Sequence, residues 1–376
     1  MRWQAPQAPE INRGQVISAT QPPHQCPQTS LAIPGEPSAF GDEDCLFLNV
    51  WAPSDAANLP VLVWIHGGGY GLGNASEYDL SEIITTNNNT FVAVAIQYRL
   101  GAFGFLSSDE VSRKGVVNAG LLDQAFALQW VKSHISLFGG DPSAVTISGE
   151  SAGGGSVMLH SIAHGGTLGK SLFRSAIAAS PYLPTQYEYK DWVPSQSYYE
   201  FASHAGCMPN TTHGSSVRSV FECLVAQDTT TLQYASFNVS GSGTYGTWAF
   251  LPVTDGVVIQ QRPSQQLLEK RVNGQHLLVG NNANEGPLFT PQNITTEDDL
   301  IAWLRLTFPS FSSDDISKIL LYYPSTNASV DVDAAKHATL GYAGATAINE
   351  SSVATGQQQR ADVSGLGQLG RVREWY

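Results

Sequence analysis

Six short apolar runs are spread along the chain, and most of them lack strict alternation of apolar and polar residues. They cover residues 45–51, 62–65, 91–96, 145–148, 176–179 and 277–280. Strands that are buried on both faces of a parallel sheet have this pattern, because helices cover both faces. The sequence therefore predicts strands of a mostly parallel central sheet.

Helical patterns lie between several of these runs. The clearest covers residues 121–138, where apolar residues form a helical stripe and Asp123 lies in the first turn, which favours an anion. Repeated strand, helix, strand order predicts an α/β fold with right-handed crossovers. Because no repeat or linker interrupts the pattern, we predict one domain over residues 1–376, with an insertion over the sheet at about 182–254.

Composition limits the partners of the chain. Hydrophobic residues make up 42% of the 376 positions and charged residues 14%, which is enough apolar material for a large core. A net charge of −13 disfavours nucleic acids and anionic membrane surfaces as partners, so neutral or small substrates are expected. No apolar stretch reaches the length of a membrane helix, and no membrane span is expected.

Cysteines and glycosylation motifs indicate a secreted protein. The four cysteines form two near pairs, as in disulfide-bonded extracellular proteins, although four cysteines allow three pairings. The residues after Met1 are polar and proline-rich, without the apolar core of a signal peptide. Seven Asn-x-Ser/Thr motifs begin at Asn74, Asn88, Asn210, Asn238, Asn293, Asn327 and Asn349.

The segment VTISGESAGGGSV, residues 145–157, has the Gly-x-Ser-x-Gly pattern of a nucleophile elbow between a strand and a helix. Such a turn is so tight that side chains two positions before and after the serine would collide with the backbone, and glycine avoids this. Ser151 is therefore the candidate nucleophile. A glycine-rich connection without chemical meaning is the alternative interpretation of this motif taken by itself.

A second glycine-rich segment follows an earlier predicted strand. VLVWIHGGGYGLGN leads from that strand into His66-Gly67-Gly68-Gly69, a type of loop that presents backbone N–H groups to an oxyanion. A phosphate-binding loop is the alternative, but the Gly-x-x-x-x-Gly-Lys-Ser/Thr pattern is absent. Together the two segments indicate acyl-transfer chemistry.

Several long segments have distinctive sequences. They are EDCLFLNVWAP at 43–53, YRLGAFGFL at 98–106, NAGLLDQAFALQWV at 118–131, FGGDPSAVTISGESAGG at 138–154 and WAFLPVTDG at 248–256. In this order they resemble the signature regions of the type-B carboxylesterase and lipase family, which includes cholinesterases and many secreted fungal esterases and lipases. The resemblance extends from about residue 2 to about residue 360 and implies the α/β-hydrolase fold.

The resemblance also implies a role for each matching residue. Ser151 matches the nucleophile, and Glu285 matches the acidic member of the triad. The N–H groups of Gly68, Gly69 and Ala152 match the oxyanion hole, where each donor contributes roughly 3 kcal/mol.

Supporting residues are implied as well. Glu150 matches a residue near the imidazolium in relatives, and a buried, hydrogen-bonded carboxylate is the equal alternative. His66 matches a structural position behind the oxyanion loop. Four aromatic residues are candidates for an apolar substrate pocket or for ordinary core, namely Tyr70, Tyr182, Trp248 and Phe289.

The catalytic histidine has no clear candidate. In α/β-hydrolases it follows the acidic residue, and His337 is the one histidine after Glu285. Its context, DAAKHATLGY, lacks the glycine-flanked loop of the family, whose histidine would fall past the end of this chain. His160 and His164 are four residues apart, but His-Glu-x-x-His is absent, so neither a metal nor another cofactor is expected.

Both ends differ from the family pattern. Relatives have a small antiparallel strand pair before the segment that matches residues 1–9, and the similarity is lost after about residue 360. We therefore expect an incomplete domain without the N-terminal strands and the C-terminal strands and helices. The chain as written is expected to turn over esters far more slowly than its relatives.

The resulting hypothesis is a serine carboxylesterase or lipase that acts on a small ester or lipid. Ser151 would attack the ester carbonyl, the alcohol would leave, and water would release the acid. A catalytically inactive, cholinesterase-like binding or adhesion protein is the alternative, and a non-functional fragment is another. Retention of Ser151, the oxyanion glycines and Glu285 favours the esterase. The sequence specifies neither the natural ester nor an oligomeric state.

The resemblance predicts four specific contacts. Disulfides are expected between Cys26 and Cys45 and between Cys207 and Cys223, and ion pairs are expected between Arg99 and Asp123 and between Arg2 and Glu43.

Overall fold

The structure is a computed structural model that describes residues 1–9, 14, 16, 18–33, 35, 40–208, 219–282, 285, 289–291, 293–294 and 296–322. The chain divides into two compact units. The first comprises Met1–Gly243 and Trp248–Gly280, and the second comprises Thr244–Thr247 and the residues from Asn281 onward. A single domain over the whole chain, with its insertion, stays a prediction.

A six-stranded sheet forms the centre of the first unit. Its strands are β1 Leu48–Trp51, β2 Leu59–Ile65, β3 Val92–Ile96, β4 Gly140–Glu150, β5 Ser175–Ala179 and β6 His276–Gly280, in the spatial order β1-β3-β2-β4-β5-β6. β1 is antiparallel to β3, and all the other neighbours are parallel. The predicted α/β fold with a mostly parallel sheet is confirmed.

β3 shows why these strands lack alternation in the sequence. All five of its residues are completely buried, because it lies between β1 and β2 and is covered on both faces. A strand in this position has no solvent-exposed face that would select polar residues. By contrast, β6 pairs with β5 along one edge, and all five of its residues are exposed.

Helices connect the strands. In the first unit they are α1 Ser81–Thr86, α2 Gly101–Phe105, α3 Asp109–Lys114, α4 Ala119–His134, α5 Ala152–Ile162, α6 Trp192–His204, α7 Val220–Ala226, α8 Thr229–Gly241 and α9 Pro263–Leu268. The predicted helix over 121–138 is α4 followed by the 3-10 helix Ile135–Phe138, which ends at Gly139 with φ +77°. Because α4 begins at Ala119, two residues earlier than predicted, Asp123 does not lie in its first turn, which contains no acidic residue. Among the described residues, we find no helix that combines the length and the apolar character of a membrane span.

Asn118 determines where α4 begins. It adopts a left-handed conformation with φ +55°, which asparagine tolerates better than most residues. Its side-chain amide donates to the carbonyl of Val253 at 2.8 Å and accepts from the Val253 N–H at 2.9 Å. A second bond from the same amide nitrogen reaches the Asp255 carboxylate at 2.9 Å. Asn118 therefore ties the first turn of α4 to a segment far away in sequence.

Three described helices occupy the region at about 182–254 where the sequence predicted an insertion. α6 and α8 pack against each other, and each buries an apolar face. α7 begins with a capping box, in which Ser219 and Glu222 exchange hydrogen bonds. Cys207 and Cys223 form a disulfide with a Cα separation of 5.5 Å, which joins the end of α6 to α7.

The other expected contacts are also present. Cys26 and Cys45 form a disulfide with a Cα separation of 4.9 Å, so both predicted pairings are confirmed. Arg2 and Glu43 form an ion pair at 2.7 Å. Burial by itself raises the pKa of the Glu43 carboxyl, but hydrogen bonds from Arg2 and Thr229 outweigh this and hold the pKa below its usual value.

The second unit contains α10 Glu297–Thr307 and α11 Ser313–Tyr322. α10 begins with a capping box formed by Thr296 and Asp299. One apolar cluster joins the two helices and consists of Ile294, Leu300, Leu304 and Ile316, with further apolar side chains packed around it.

Candidate active site

Ser151 lies at the turn between β4 and α5, where the sequence predicted a nucleophile elbow. Its backbone has φ +54° and ψ −120°, a sparsely populated conformation for a residue with a side chain. Such conformations are strained and persist where the surrounding structure enforces them, which occurs often at active sites.

The two glycines of the motif are required by sterics. A Cβ built on Gly149 would lie 2.4 Å from the carbonyl carbon of Gly153, and one on Gly153 would lie 2.0 Å from the carbonyl oxygen of Ile65. Real Cβ atoms do not approach backbone atoms this closely. The turn therefore needs glycine two positions before and after Ser151, as the sequence argument assumed.

Backbone hydrogen bonds hold the turn on both sides of Ser151. Its N–H donates to the carbonyl of Ala179 at 3.0 Å. Its carbonyl accepts from the N–H groups of Gly155 and Tyr182, each at 2.8 Å. These bonds fix the serine in the strained conformation, and the side-chain hydroxyl does not cap α5.

The glycine loop after β2 lies directly beside this turn. β2 and β4 are neighbours in register, with Ile65 opposite Gly149, so their carboxyl ends meet at the same edge of the sheet. A Cβ built on Gly67 would lie 3.1 Å from the Cβ of Ser151. The two motifs are distant in sequence, and the sheet brings them together.

Gly68 and Gly69 form a tight turn with φ values of +94° and +62°. The carbonyl of Gly68 accepts from the N–H groups of Gly71 and Leu72 at 2.9 and 2.8 Å. Within the described part of the chain, the N–H groups of Gly68 and Gly69 have no protein acceptor. The N–H of Ala152 has none inside its helix either, because it opens the first turn of α5.

Trp248 packs against this turn. A Cβ built on Gly69 would lie 2.0 Å from Cε2 of the indole, and one on Gly71 would lie 2.5 Å from Cζ3. The backbone of the loop is therefore in direct contact with the ring. Of the other aromatic candidates, Tyr70 is buried with its hydroxyl 3.3 Å from the Tyr182 carbonyl, and Phe289 belongs to the second unit.

His66 precedes the loop and is almost completely buried. Burial lowers its pKa to about 4, and a hydrogen bond between Nδ1 and the Gly67 carbonyl opposes this only in part. The ring stacks on Tyr98 with a centroid distance of 4.4 Å. A neutral imidazole that is enclosed in this way supports a structural position and does not have the environment of a proton-transferring base.

His160 is buried in α5. Burial lowers its pKa to about 4, and its Nε2 lies 2.9 Å from the Gln124 side-chain oxygen. α5 ends at Ile162, and His164 has a left-handed backbone, so the two histidines do not share one helical face. Among the described residues, no group of three or more potential metal ligands is found.

The remaining candidates lie in different surroundings. Glu150 is half-buried, and one of its carboxylate oxygens would be 3.0 Å from a Cβ on Gly67. Glu285 belongs to the second unit, where its carboxylate accepts from the Asn282 N–H at 2.7 Å. His337 lies outside the described residues.

Sequence reasoning did not identify the support that Tyr98 gives to this site. Tyr98 follows β3 by two residues, and its hydroxyl donates to the His66 carbonyl at 2.8 Å. A tyrosine directly after a completely apolar strand was the available signal, since a buried hydroxyl requires a partner.

Comparisons with known proteins place this chain in a family. The sequence profile described as "Carboxylesterase family" matches residues 1–351. Lipase 2 of Geotrichum candidum is 36% identical over 300 residues, which cover 76% of this chain and 53% of the lipase. Secreted triacylglycerol lipase LIP1 of Gibberella zeae is 34% identical over 311 residues, which cover 79% of this chain and 52% of that protein.

A solved structure shows the same fold. The crystal structure of Aspergillus niger EstA matches with a TM-score of 0.74 and 35% identity, over 86% of this chain and 61% of that chain. The chain spans about half the length of the curated relatives that it matches. From the family profile, these relatives and the strand-turn-helix at Ser151, we conclude that the chain belongs to the carboxylesterase family and has the α/β-hydrolase fold.

Proposed function

We propose that this protein hydrolyses carboxylic esters by acyl transfer through Ser151. The observation that carries the proposal is the contact between two motifs distant in sequence. The strained serine turn after β4 lies against the glycine loop after β2, whose N–H groups at Gly68 and Gly69 have no acceptor among the described residues. Such an arrangement stabilises the oxyanion of a tetrahedral intermediate.

In the first half of the reaction, the Ser151 hydroxyl oxygen attacks the ester carbonyl carbon and loses its proton to a general base. The carbonyl oxygen becomes an oxyanion that accepts hydrogen bonds from Gly68, Gly69 and Ala152. The carbon–oxygen bond to the alcohol then breaks, and the alcohol leaves with the proton. In the second half, water attacks the acyl-enzyme and releases the acid.

The acidic residue is assigned by family order, whereas the base is not assigned. Glu285 is the proposed carboxylate, and the base follows it in the chain. His66 and His160 are unsuited to the task, because both are buried and burial holds the pKa of each at about 4. His337 is the one histidine that follows Glu285 in this sequence, but its context lacks the glycine-flanked loop of the family, so we do not assign it as the base.

The proposed substrates are neutral esters with an apolar acyl or alcohol group. The indole of Trp248 lies against the oxyanion loop and provides an apolar surface there. A net charge of −13 disfavours anionic substrates. The two disulfides and the secreted lipases among the relatives support an extracellular location.

Hydrolysis of p-nitrophenyl butyrate tests the proposal, together with covalent labelling by a fluorophosphonate probe. Ser151→Ala should abolish both the labelling and the turnover, while Ser143→Ala, at an exposed position of β4, should leave both unchanged. Labelling that persists in Ser151→Ala would refute the assignment. A folded wild-type chain with neither labelling nor turnover would favour one of the two alternatives, a binding or adhesion protein or a non-functional fragment.

A further inference from the structure

Three of the seven glycosylation motifs lie entirely within the described residues, and their surroundings differ. They are Asn74-Ala75-Ser76, Asn88-Asn89-Thr90 and Asn238-Val239-Ser240. An N-linked glycan is bulky and solvated, so it needs an asparagine side chain with open space around it. The fold therefore discriminates among motifs that the sequence cannot rank.

Asn88 meets this requirement. It lies in the turn between α1 and β3, where residues 87–90 are all exposed. Its backbone N–H donates to the carbonyl of Thr85 at 3.0 Å, whereas its side-chain amide has no hydrogen-bond partner among the described residues. Asn88 and Asn89 have φ values of +54° and +57°, a left-handed conformation that asparagine tolerates.

Asn74 does not meet it. Its side-chain oxygen accepts from the Ser76 N–H at 2.8 Å, and its side-chain nitrogen donates to Glu77 at 3.1 Å and to Gln25 at 3.3 Å. Both hydrogens of the amide are therefore used within the protein, and Ala75 beside it is completely buried. A glycan on this nitrogen would replace one of these bonds.

Asn238 is exposed, but the rest of its motif is inside the protein. Val239 and Ser240 are buried in α8. The Ser240 hydroxyl donates to the Ser30 carbonyl and accepts from the Ala249 N–H. This hydroxyl, which the motif requires for recognition, is enclosed on both sides.

A glycan on Asn88 would lie away from the candidate active site, because the two are found at opposite ends of the parallel strands. The oxyanion loop follows the carboxyl end of β2, and Asn88 precedes the amino end of β3. β2 and β3 are parallel and pair Val61 with Val92 and Ile65 with Ile96. The oxyanion loop therefore lies at the carboxyl ends of these strands, and Asn88 lies at their amino ends.

We propose that Asn88 carries an N-linked glycan and that Asn74 and Asn238 do not. The glycan donor, in the membrane of the secretory pathway, is an oligosaccharide linked to a polyprenyl diphosphate. A bond forms between the Asn88 side-chain nitrogen and C1 of the first sugar, the bond from C1 to the diphosphate oxygen breaks, and the amide loses one proton. The polyprenyl diphosphate is the leaving group. This inference does not depend on the proposed esterase activity.

The test is expression of the full chain behind a cleavable signal sequence in a eukaryotic host. The secreted protein is treated with peptide-N-glycosidase in water labelled with ¹⁸O, which converts each glycosylated asparagine into labelled aspartate, and its peptides are analysed by mass spectrometry. The Asn88 peptide should carry the label, and the Asn74 and Asn238 peptides should not. An unlabelled Asn88 peptide would overturn the proposal, and a labelled Asn74 or Asn238 peptide would overturn the selection among motifs.

Two substitutions at one position provide a matched pair. Thr90→Ala removes the motif without changing the asparagine, whereas Thr90→Ser keeps both the hydroxyl and the motif. The intact mass of Thr90→Ala should be lower than that of the wild type by one glycan, and Thr90→Ser should retain the glycan. An unchanged glycan mass in Thr90→Ala would contradict the assignment to Asn88.

Discussion

Tyr98 holds His66 at two points: its hydroxyl donates to the His66 carbonyl at 2.8 Å, and its ring stacks on the imidazole at an interplanar angle of 20°. His66 is the first residue after β2 and leads into the glycine loop that we propose as the oxyanion hole. Tyr98 is therefore placed to position this loop through His66.

Tyr98→Phe should loosen the loop without unfolding the protein. The stack is retained, and the loss of one hydrogen bond costs about 1 kcal/mol of the free energy of unfolding. If the proposed esterase activity is present, kcat should fall about tenfold while KM changes little, because the loop binds the oxyanion of the transition state. Steady-state kinetics and urea denaturation measure both effects. A large rise in KM with unchanged kcat would contradict the positioning role.

Gly153→Ala should destabilise the fold by about 3 kcal/mol, because the added methyl group would lie 2.0 Å from the Ile65 carbonyl oxygen and the backbone must shift. Gly241→Ala is the matched control. Its Cβ would meet Ser30 at 3.8 Å, an ordinary contact, and alanine favours the helix. Urea denaturation midpoints compare the two variants, and equal stabilities would show that the elbow does not need this glycine.

Stability should decline as the pH falls from about 6.5 to about 4. Burial lowers the pKa of His66 and of His160 to about 4, whereas an unfolded histidine titrates near 6.5. Below about pH 6.5 the unfolded chain binds protons at these histidines that the folded chain does not bind. Each histidine therefore lowers the free energy of unfolding by about 1.4 kcal/mol per pH unit, until the histidine is protonated in the folded chain as well.

The measurement is the urea concentration at which half of the protein is unfolded, determined at several pH values within that range. His160→Gln removes one of the two buried groups and should flatten the pH dependence. His204→Gln, at an exposed position of α6, should leave the slope as in the wild type. A slope that is identical in wild type and His160→Gln would show that His160 does not contribute.

Breaking the ion pair between Arg99 and Asp123 should lower the free energy of unfolding far more than breaking a pair at the surface. Two guanidinium nitrogens of Arg99 donate to the two carboxylate oxygens at 2.7 and 2.6 Å, and the side chains are only 10% and 1% exposed. Arg99→Leu leaves a buried carboxylate without its partner, which costs about 3 to 5 kcal/mol.

The double variant Arg99→Leu with Asp123→Leu should recover much of that loss, because no buried charge then remains. As the control, Arg113→Leu breaks an exposed pair with Asp109 and should cost no more than about 0.5 kcal/mol. Similar losses for Arg99→Leu and Arg113→Leu, measured by urea denaturation, would contradict this account of the buried pair.

The sequence by itself determined the local features of this protein. Buried strands appear as uninterrupted apolar runs because both of their faces are covered, as in β3. The elbow could be recognised because a turn of this tightness accepts only glycine at residues 149 and 153. Resemblance to the family then supplied the disulfide pairings and the two ion pairs, all of which are present.

Tertiary structure decided what depends on residues that are far apart in the chain. The order β1-β3-β2-β4-β5-β6 places the loop after β2 beside Ser151, and the support of Tyr98 for His66 exists only because β3 lies next to β2. The start of α4 at Asn118 depends on Val253, more than a hundred residues away. The difference between the exposed motif at Asn88 and the motifs at Asn74 and Asn238 likewise depends on side-chain contacts and burial, which a three-residue motif does not encode.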